Sequence, residues 1–270
     1  MQSSTNAMLS EQEINVCCAI SYSHPLARWL LGDSFHPGGL ALTARLGQAL
    51  GVGAESHVLD IGSGRGVSAV HLAQTFGCKV TGITLESDGI EAGDRLAAQR
   101  GVEDRVSFVE GDFLNTSLAP ESFDAIIAEC VLSILVQKRA AVERIGRLLK
   151  HGGRFGLTDV TIDGEMPEDL NEVLTAVSCV GNALPLDGYV SLIREAGLDL
   201  ISSQDLHEIA GGFLRDIKGK LMVGEIAVAL GKVALDRTFL AEVKRLVALT
   251  QGLAAQGRLS YGMVVVQKAP

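Results

Sequence analysis

Short apolar runs alternate with helical patterns through residues 57–160, and this alternation constrains the fold more than any other feature of the sequence. The segments HVLDI, KVTGITL and FDAIIAE are typical of buried strands, while VSAVHLAQTF and KRAAVERIGRLLK have the length and apolar spacing of helices. Strands that alternate with helices of this length predict a parallel sheet covered on both faces. We therefore expect an open α/β sheet in this part of the chain.

The regions on either side of this core are mainly helical in pattern. Residues 9–50 are broken by HPGG at 36–39, which we interpret as a turn that ends a helix, and Trp29 is interpreted as a core residue of this region. HGG at 151–153 is interpreted as a second helix stop, with glycine in the left-handed position after the helix. A helical region at 206–256 precedes RLSYGMVVVQKA, which is typical of a strand. That strand would have to return to the sheet, so the helical region is predicted to be an insertion within one domain.

Charge and hydropathy argue against some classes of partner. The chain of 270 residues has a net charge of −9, and its 23 basic residues form no dense run, which argues against a nucleic-acid surface. No apolar run has the length of a membrane span. The first residues, MQSSTNAMLSEQE, lack the basic and apolar regions of a secretion signal, so we expect a cytoplasmic location with reduced thiols.

The stretch VLDIGSGRG, at 58–66, places Gly62, Gly64 and Gly66 in a strand-to-helix turn. Glycine is needed where the backbone is left-handed or approaches another group closely. The helix that begins near Val67 would direct its free N–H groups into the turn, which suits an anionic group. A phosphate-binding P-loop would end in GKS or GKT, and a dinucleotide fingerprint would be GxGxxG, so neither motif fits. Taken alone, the stretch is also compatible with a purely structural tight turn.

Acidic residues at the ends of the neighbouring strands narrow the choice. Glu86 ends the second strand, where a carboxylate can accept both hydroxyls of a ribose, and Asp112 with Phe113 follows the third, where an acid and a ring can hold a base. This series resembles the class I S-adenosylmethionine-dependent methyltransferases over residues 56–160. The resemblance implies S-adenosyl-L-methionine as the cofactor, with the turn glycines at its methionine part, Glu86 at the ribose and Asp112 at the adenine amine. The predicted cofactor-binding set is Asp60, Gly62, Ser63, Gly64, Gly66, Glu86, Asp112, Phe113 and Glu129.

The same resemblance implies the architecture. We expect a Rossmann-like, doubly wound, mostly parallel seven-stranded sheet in a single methyltransferase domain over residues 1–270. Residues 1–55 would form a helical N-terminal lid, residues 56–160 the cofactor-binding core, and residues 161–270 the substrate-side helices, a C-terminal helical insertion and the closing strands.

Five cysteines, at 17, 18, 78, 130 and 179, show no CxxC spacing and no pattern typical of zinc or disulfides. Cys130 follows the fourth strand, and the sequence from AECVLSILV onward, together with SCVGNAL at 178–184, resembles the arsenite methyltransferases. The resemblance implies that Cys130 and Cys179 are catalytic ligands of trivalent arsenic, supported by a thiol reductant. Thiolates select soft centres, so the chemistry is consistent. Cys17 or Cys18 would supply a third thiolate, while Cys78 is expected to be a small core residue.

The acceptor has alternatives. Further N-terminal cysteines of the arsenite enzymes have no match here, so the acceptor could be an organic thiol, selenol or other metabolite, with the cysteines only lining the pocket. Tyr22 and His36 precede the first strand in a segment that would help form the acceptor pocket. His36 would then serve as a base for a protonated acceptor. A cofactor-binding protein without catalysis is a third hypothesis. No metal cofactor and no membrane contact are expected.

Overall fold

The computed structural model describes residues 29–32, 34–164, 182–229 and 237–270. Within these residues, seven strands form one sheet in the order β3-β2-β1-β4-β5-β7-β6. The strands are β1 His57–Ile61, β2 Lys79–Thr84, β3 Val106–Glu110, β4 Phe123–Glu129, β5 Leu149–Ile162, β6 Leu198–Asp205 and β7 Leu259–Lys268. The helices are α1 Gly39–Leu50, α2 Val67–Phe76, α3 Ser87–Arg100, α4 Lys138–Leu148, α5 Leu186–Glu195, α6 His207–Ala229 and α7 Arg237–Ala255.

The sheet is mostly parallel. β3, β2, β1, β4 and β5 pair in parallel, and β7 is antiparallel to both of its neighbours, β5 and β6. The predicted seven-stranded, Rossmann-like α/β fold is therefore confirmed. The last strand returns to the sheet as expected, so α6 and α7 are inserted between β6 and β7. The strand order reverses between β1 and β4, which is where ligands bind in open α/β sheets.

Apolar side chains from both faces of the sheet explain the continuous hydrophobic runs of the central strands. In β4, Ile126 and Ala128 belong to a core cluster that includes residues of α4 and α5, while Ala125 and Ile127 belong to a second cluster with residues of α1 and α2. A strand covered by helices on both faces has no solvent side, so its sequence is apolar throughout. The two clusters hold the carboxyl ends of the parallel strands in fixed register, and the functional site depends on this rigidity.

The HPGG segment begins a helix, where the sequence analysis expected one to end. Gly38, with φ of 82°, occupies the cap position of α1, which begins at Gly39. A Cβ atom at Gly38 would lie 2.8 Å from the Cβ atom of Leu42, so the turn needs glycine both for its left-handed backbone and for space. Trp29 is also a correction, because it is 41% exposed and lies against Gly224 of α6.

The HGG segment forms a β-bulge, and the expectation of a helix cap is wrong. Helix α4 ends at Leu148 and Leu149 is already extended, with φ of −67° and ψ of 135°. The pairing of β4 with β5 shifts from Phe123 opposite Leu149 to Ala125 opposite Arg154, and Gly152 within this irregularity has φ of 75°. The positive φ therefore serves a register shift inside β5.

No helix in the described part of the chain is long and apolar enough to cross a bilayer.

Candidate active site

A cavity of about 290 Å³ opens at the carboxyl ends of β1 to β4, at the switch point of the sheet. Most of the residues that the sequence analysis selected are brought together here. The predicted site residues that line the cavity are His36, Asp60, Gly62, Ser63, Gly64, Glu86, Asp112, Phe113, Glu129 and Cys130. Four other predicted residues, Cys17, Cys18, Tyr22 and Cys179, lie outside the described residues.

The glycine turn forms the floor of the cavity. Gly62 has φ of 71° and Gly64 has φ of 50°, so both adopt left-handed backbone conformations. A Cβ atom at Gly62 would lie 2.8 Å from Cγ2 of Val131, whereas at Gly64 the nearest atom would be 4.0 Å away. The turn therefore packs closely against the segment after β4 at Gly62 and is open at Gly64. The N-terminus of α2 directly follows this turn.

Gly66, which the sequence predicts as a cofactor contact, lies at the start of α2 behind the turn. It caps α2 with φ of 75° and does not line the cavity. A Cβ atom there would lie 2.4 Å from Cζ of Phe108 and 2.9 Å from Cα of Gly93. Gly66 therefore allows α2 to pack against α3 and the Phe108 ring, behind the turn.

Two side chains next to the turn present polar atoms without a hydrogen-bond partner among the described residues. Asp60 is 3% exposed, and its carboxyl accepts a hydrogen bond from the backbone N–H of Ala69, yet its Oδ2 atom has no partner. Burial and the nearby charge of Glu129 raise the pKa of Asp60 well above its ordinary value. Ser63 is also buried, and its Oγ atom is likewise unpaired in this part of the structure. Buried polar atoms left without partners point to a polar ligand.

Glu86 repeats this pattern at the end of β2. Its backbone carbonyl oxygen accepts a 3.1 Å hydrogen bond from the N–H of Gly89 at the start of α3, which fixes the residue in position. Its Oε1 atom is buried and has no partner among the described residues. Burial raises the pKa of Glu86, and the charge of Asp88 adds to the effect. The carboxylate can thus accept hydrogen bonds from a ligand that lies in the cavity.

Asp112 and Phe113 line the cavity from the loop after β3 and are held by their own turn. The carboxylate of Asp112 accepts hydrogen bonds from the N–H of Leu114, at 3.0 Å, and from Nδ2 of Asn115, at 2.7 Å. Phe113 is 6% exposed, and the guanidinium carbon of Arg144 lies 5.4 Å from the centre of its ring. The loop is therefore preorganised, and the aromatic residue is part of the core as well as of the cavity wall.

Glu129, at the end of β4, is surrounded by donors from the protein. Thr43 Oγ1 donates to both carboxylate oxygens, at 2.9 and 3.2 Å, and Ser68 Oγ donates to Oε2 at 2.8 Å. His36 Nε2 lies 3.4 Å from the same Oε2 atom, and the side chains of His36 and Glu129 are each only 4% exposed. The hydrogen bonds of Glu129 therefore come from α1 and α2, while the residue also lines the cavity, and its contact with the cofactor stays a prediction.

Cys130 follows Glu129 and reaches the cavity with an unusual backbone conformation. Its φ is 55°, a left-handed value that is uncommon for a residue with a Cβ atom. Its N–H donates to the carbonyl of Thr158 at 2.8 Å, and its Sγ atom lies 3.2 Å from the hydroxyl oxygen of Tyr261. Tyr261 is fully buried and also donates to Thr158 Oγ1 at 3.2 Å. Burial raises the pKa of Tyr261 well above its ordinary value, with Cys130 contributing.

Cys78 lies away from the cavity. It is fully buried in the core, and burial raises the pKa of its thiol to about 11, so the expectation of a small core residue is confirmed. The described residues contain no group of three or more side chains able to hold a metal ion.

Sequence reasoning missed Thr43, Ser68 and Tyr261. Thr43 lies within an apolar helix pattern and Ser68 within a helix start, and neither position carries a local signal for contact with Glu129. Tyr261 lies in an apolar strand 131 residues after its partner Cys130. Only the tertiary fold brings these hydroxyl groups to the end of β4.

Solved structures of other proteins share this fold. The [4+2]-cyclase SpnF matches with a TM-score of 0.78 and 19% identity, covering 99% of each chain. Phosphoethanolamine N-methyltransferase 2 of Haemonchus contortus, in complex with S-adenosyl-L-methionine, matches with a TM-score of 0.76 and 18% identity, covering 97% of this chain and 58% of that one. At these identities the likeness shows the fold alone.

The family follows from sequence. Residues 53–210 match the family described as Methyltransferase domain, and the chain belongs to this family. The methyltransferase GfsG of Streptomyces halstedii is 30% identical over 65% of this chain. The match spans 64% of the length of that relative, which is slightly less than two thirds. The O-methyltransferase resE of Aspergillus sclerotiorum is 27% identical, over 75% of this chain and 78% of its own length. S-adenosyl-L-methionine is confirmed as the cofactor, whereas the closer resemblance to arsenite methyltransferases stays a prediction.

Proposed function

We propose that this protein transfers a methyl group from S-adenosyl-L-methionine to a nucleophile of a small organic molecule. One observation carries the cofactor half of the proposal. Asp60 Oδ2, Ser63 Oγ and Glu86 Oε1 are buried at the cavity and lack partners among the described residues. Leaving such atoms unpaired costs about 1–3 kcal/mol each, and a ligand with hydroxyl and ammonium groups would satisfy them.

The residues fit the cofactor as the family resemblance implies. Glu86 would accept the ribose hydroxyls, and Asp60, Ser63 and the Gly62–Gly64 turn would hold the methionine part. Asp112 would accept from the adenine amine, and Phe113 would cover the base. When bound, the cofactor supplies an activated methyl group, so the protein's main tasks are to exclude water and to orient a nucleophile. Of the predicted lid, residues 1–55, only the part before α1 would cover the cavity in this proposal, because α1 packs in the core.

Apolar side chains form another part of the cavity lining. Phe35, Val131, Ile134 and Leu135 line the cavity and are apolar side chains. An apolar wall favours a carbon-rich acceptor over a small inorganic ion. Relatives named O-methyltransferase resE and 27-O-demethylrifamycin SV methyltransferase support an oxygen nucleophile on an organic molecule.

The experiment is a methyl-transfer assay with a mixed acceptor panel. The full-length protein is incubated with S-adenosyl-L-methionine and, separately, with phenols, aliphatic alcohols, thiols and arsenite, and S-adenosylhomocysteine is quantified. We expect turnover with at least one hydroxyl compound. Glu86→Gln should weaken cofactor binding, while the matched change Glu91→Gln, at an exposed position of α3, should not. Cofactor binding without turnover on any acceptor would contradict the proposal and support a non-catalytic role.

A second candidate, methylation of trivalent arsenic, is favoured by the position of Cys130 on the cavity wall. In this candidate Cys130 and Cys179 hold the arsenic, Cys17 or Cys18 adds a third thiolate, and a thiol reductant in the cytoplasm keeps these groups reduced. Arsenite-dependent turnover that is lost in Cys130→Ser and Cys179→Ser, but kept in Cys78→Ala, would establish it. Arsenite-independent methylation that survives both serine variants would leave the cysteines as pocket-lining residues.

A further inference from the structure

We propose that His36 is the proton acceptor for a hydroxyl-bearing substrate, and that Glu129, Thr43 and Ser68 set its tautomer. This inference rests on the proposed methyl transfer to an organic molecule. His36 lines the same cavity as Asp60 and Cys130, and its ring is almost completely enclosed by protein. A base needs an unprotonated nitrogen, so the position of the ring proton decides which atom of His36 can act.

The hydrogen bonds around Glu129 indicate which ring nitrogen of His36 carries the proton. Thr43 and Ser68 each have a single hydroxyl proton, and both protons are directed to the Glu129 carboxylate. These hydroxyl oxygens lie 3.5 and 3.4 Å from His36 Nε2, and Glu129 Oε2 lies 3.4 Å from it. All three neighbours can therefore only accept from Nε2. We infer that the neutral ring carries its proton on Nε2, which leaves the lone pair on Nδ1.

The second nitrogen is prepared to receive a proton. The carbonyl oxygen of Pro37 lies 3.3 Å from Nδ1. A carbonyl oxygen cannot donate a hydrogen bond to an unprotonated Nδ1, but it accepts one once Nδ1 is protonated. The imidazolium would then have acceptors at both nitrogens, Glu129 at one and Pro37 at the other.

The chemical step balances without any further reactant. The O–H bond of the substrate breaks, its proton bonds to Nδ1 of His36 and its electron pair stays on oxygen. The substrate oxygen forms the new O–CH₃ bond as the methyl carbon's bond to the cofactor sulfur breaks, and that electron pair remains on sulfur. His36 later loses the proton to water. An acidic acceptor that is already ionised would not need His36.

The variant His36→Gln separates the two functions of the side chain. Its amide can still donate to Glu129, but it has no basic nitrogen. We expect kcat with an aliphatic alcohol to fall by about 10²–10⁴, with a smaller loss for an acidic phenol, and an unchanged affinity for S-adenosylhomocysteine. Glu129→Gln should lower kcat less, because the base is retained. His151→Gln, at an exposed site on β5, is the matched control and should behave as wild type.

A second measurement is independent of turnover. The ring nitrogens of His36 in ¹⁵N-histidine-labelled full-length protein, assigned with His36→Gln, should show a protonated Nε2 and a bare Nδ1 in the neutral form. A proton on Nδ1 with a bare Nε2 would overturn the inference. It would also fail if His36→Gln kept wild-type kcat on alcohols, or lost cofactor-product affinity and activity together. If wild type methylated no hydroxyl compound, the proposed function itself would fail, whatever the tautomer.

Discussion

Replacing Gly66 with alanine should destabilise the protein by about 2–5 kcal/mol, although the residue does not line the cavity. The backbone there is left-handed, with φ of 75°, and a Cβ atom in that conformation costs about 1–2 kcal/mol. The added atom would also lie 2.4 Å from Cζ of Phe108 and 2.9 Å from Cα of Gly93. Overpacking of this kind costs about 1–3 kcal/mol, because the ring can move but the helix backbone resists.

Two matched variants separate these contributions. Gly101→Ala has φ of 66° and no atom within 4 Å of the new Cβ, so it measures the conformational cost alone. Gly93→Ala would place its Cβ 2.6 Å from the same Phe108 ring within a regular helix, so it measures the packing cost, less about 1 kcal/mol gained in helix propensity. Gly66→Ala should be more destabilised than either one.

The free energy of unfolding is measured by urea titration, and each kcal/mol corresponds to about 2–4 °C in the thermal midpoint. Adding Phe108→Leu to Gly66→Ala should recover part of the loss, because the smaller side chain makes room. The reasoning is refuted if Gly66→Ala is no less stable than Gly101→Ala. The prediction is also refuted if Gly66→Ala is fully folded but loses affinity for S-adenosylhomocysteine, since that result would indicate that Gly66 contacts the cofactor.

Three further predictions concern buried acids and the turn. Because the pKa of Asp60 is well above its ordinary value, binding of the cationic cofactor should release up to one proton. Calorimetry in buffers of different ionisation heat should detect this proton release in the wild-type protein but not in Asp60→Asn. Binding heats of the wild-type protein that do not depend on the buffer would contradict the prediction. Burial raises the pKa of Asp159 to about 6, so the native state keeps a proton that the unfolded state loses, and stability should fall by about 3 kcal/mol as pH rises from about 4 to about 7. Asp159→Asn should remove this difference in urea titrations, and parallel pH curves would disprove it. Gly62→Ala should lower cofactor affinity about tenfold through its clash with Val131, and Val131→Ala should restore it; unchanged affinity in the single variant would count against this reading.

Much of the sheet and of the cofactor end of the site could be predicted, because both depend on short-range patterns. The segments HVLDI, VSAVHLAQTF and FDAIIAE coincide with β1, α2 and β4. Apolar runs of strand length bounded by glycine or charged residues specify a buried parallel strand with little ambiguity. Parallel strands align their carboxyl ends, so acids that follow successive strands must meet.

The acceptor end could not be predicted in this way, since its contacts join distant parts of the chain. Glu129 receives hydrogen bonds from residues 86 and 61 positions earlier, and Cys130 contacts a hydroxyl 131 positions later. The predictions for HPGG and HGG were wrong for a related reason. Glycine with positive φ serves a helix start, a helix end or a bulge equally well, and tertiary packing decides which.

The position of β7 has a consequence for the order in which the molecule can form. β7 follows both β5 and β6 in the chain, yet it lies between them and pairs with each. During synthesis, β1 to β5 can associate as soon as they emerge, while β6 has no partner until β7 is made. The edge of β5 that pairs with β7 therefore stays unpaired until α5, β6, α6 and α7 have been synthesised. During that time it can pair with other strands. Removal of the residues from Leu259 onward would likewise leave β6 without its partner strand in the sheet.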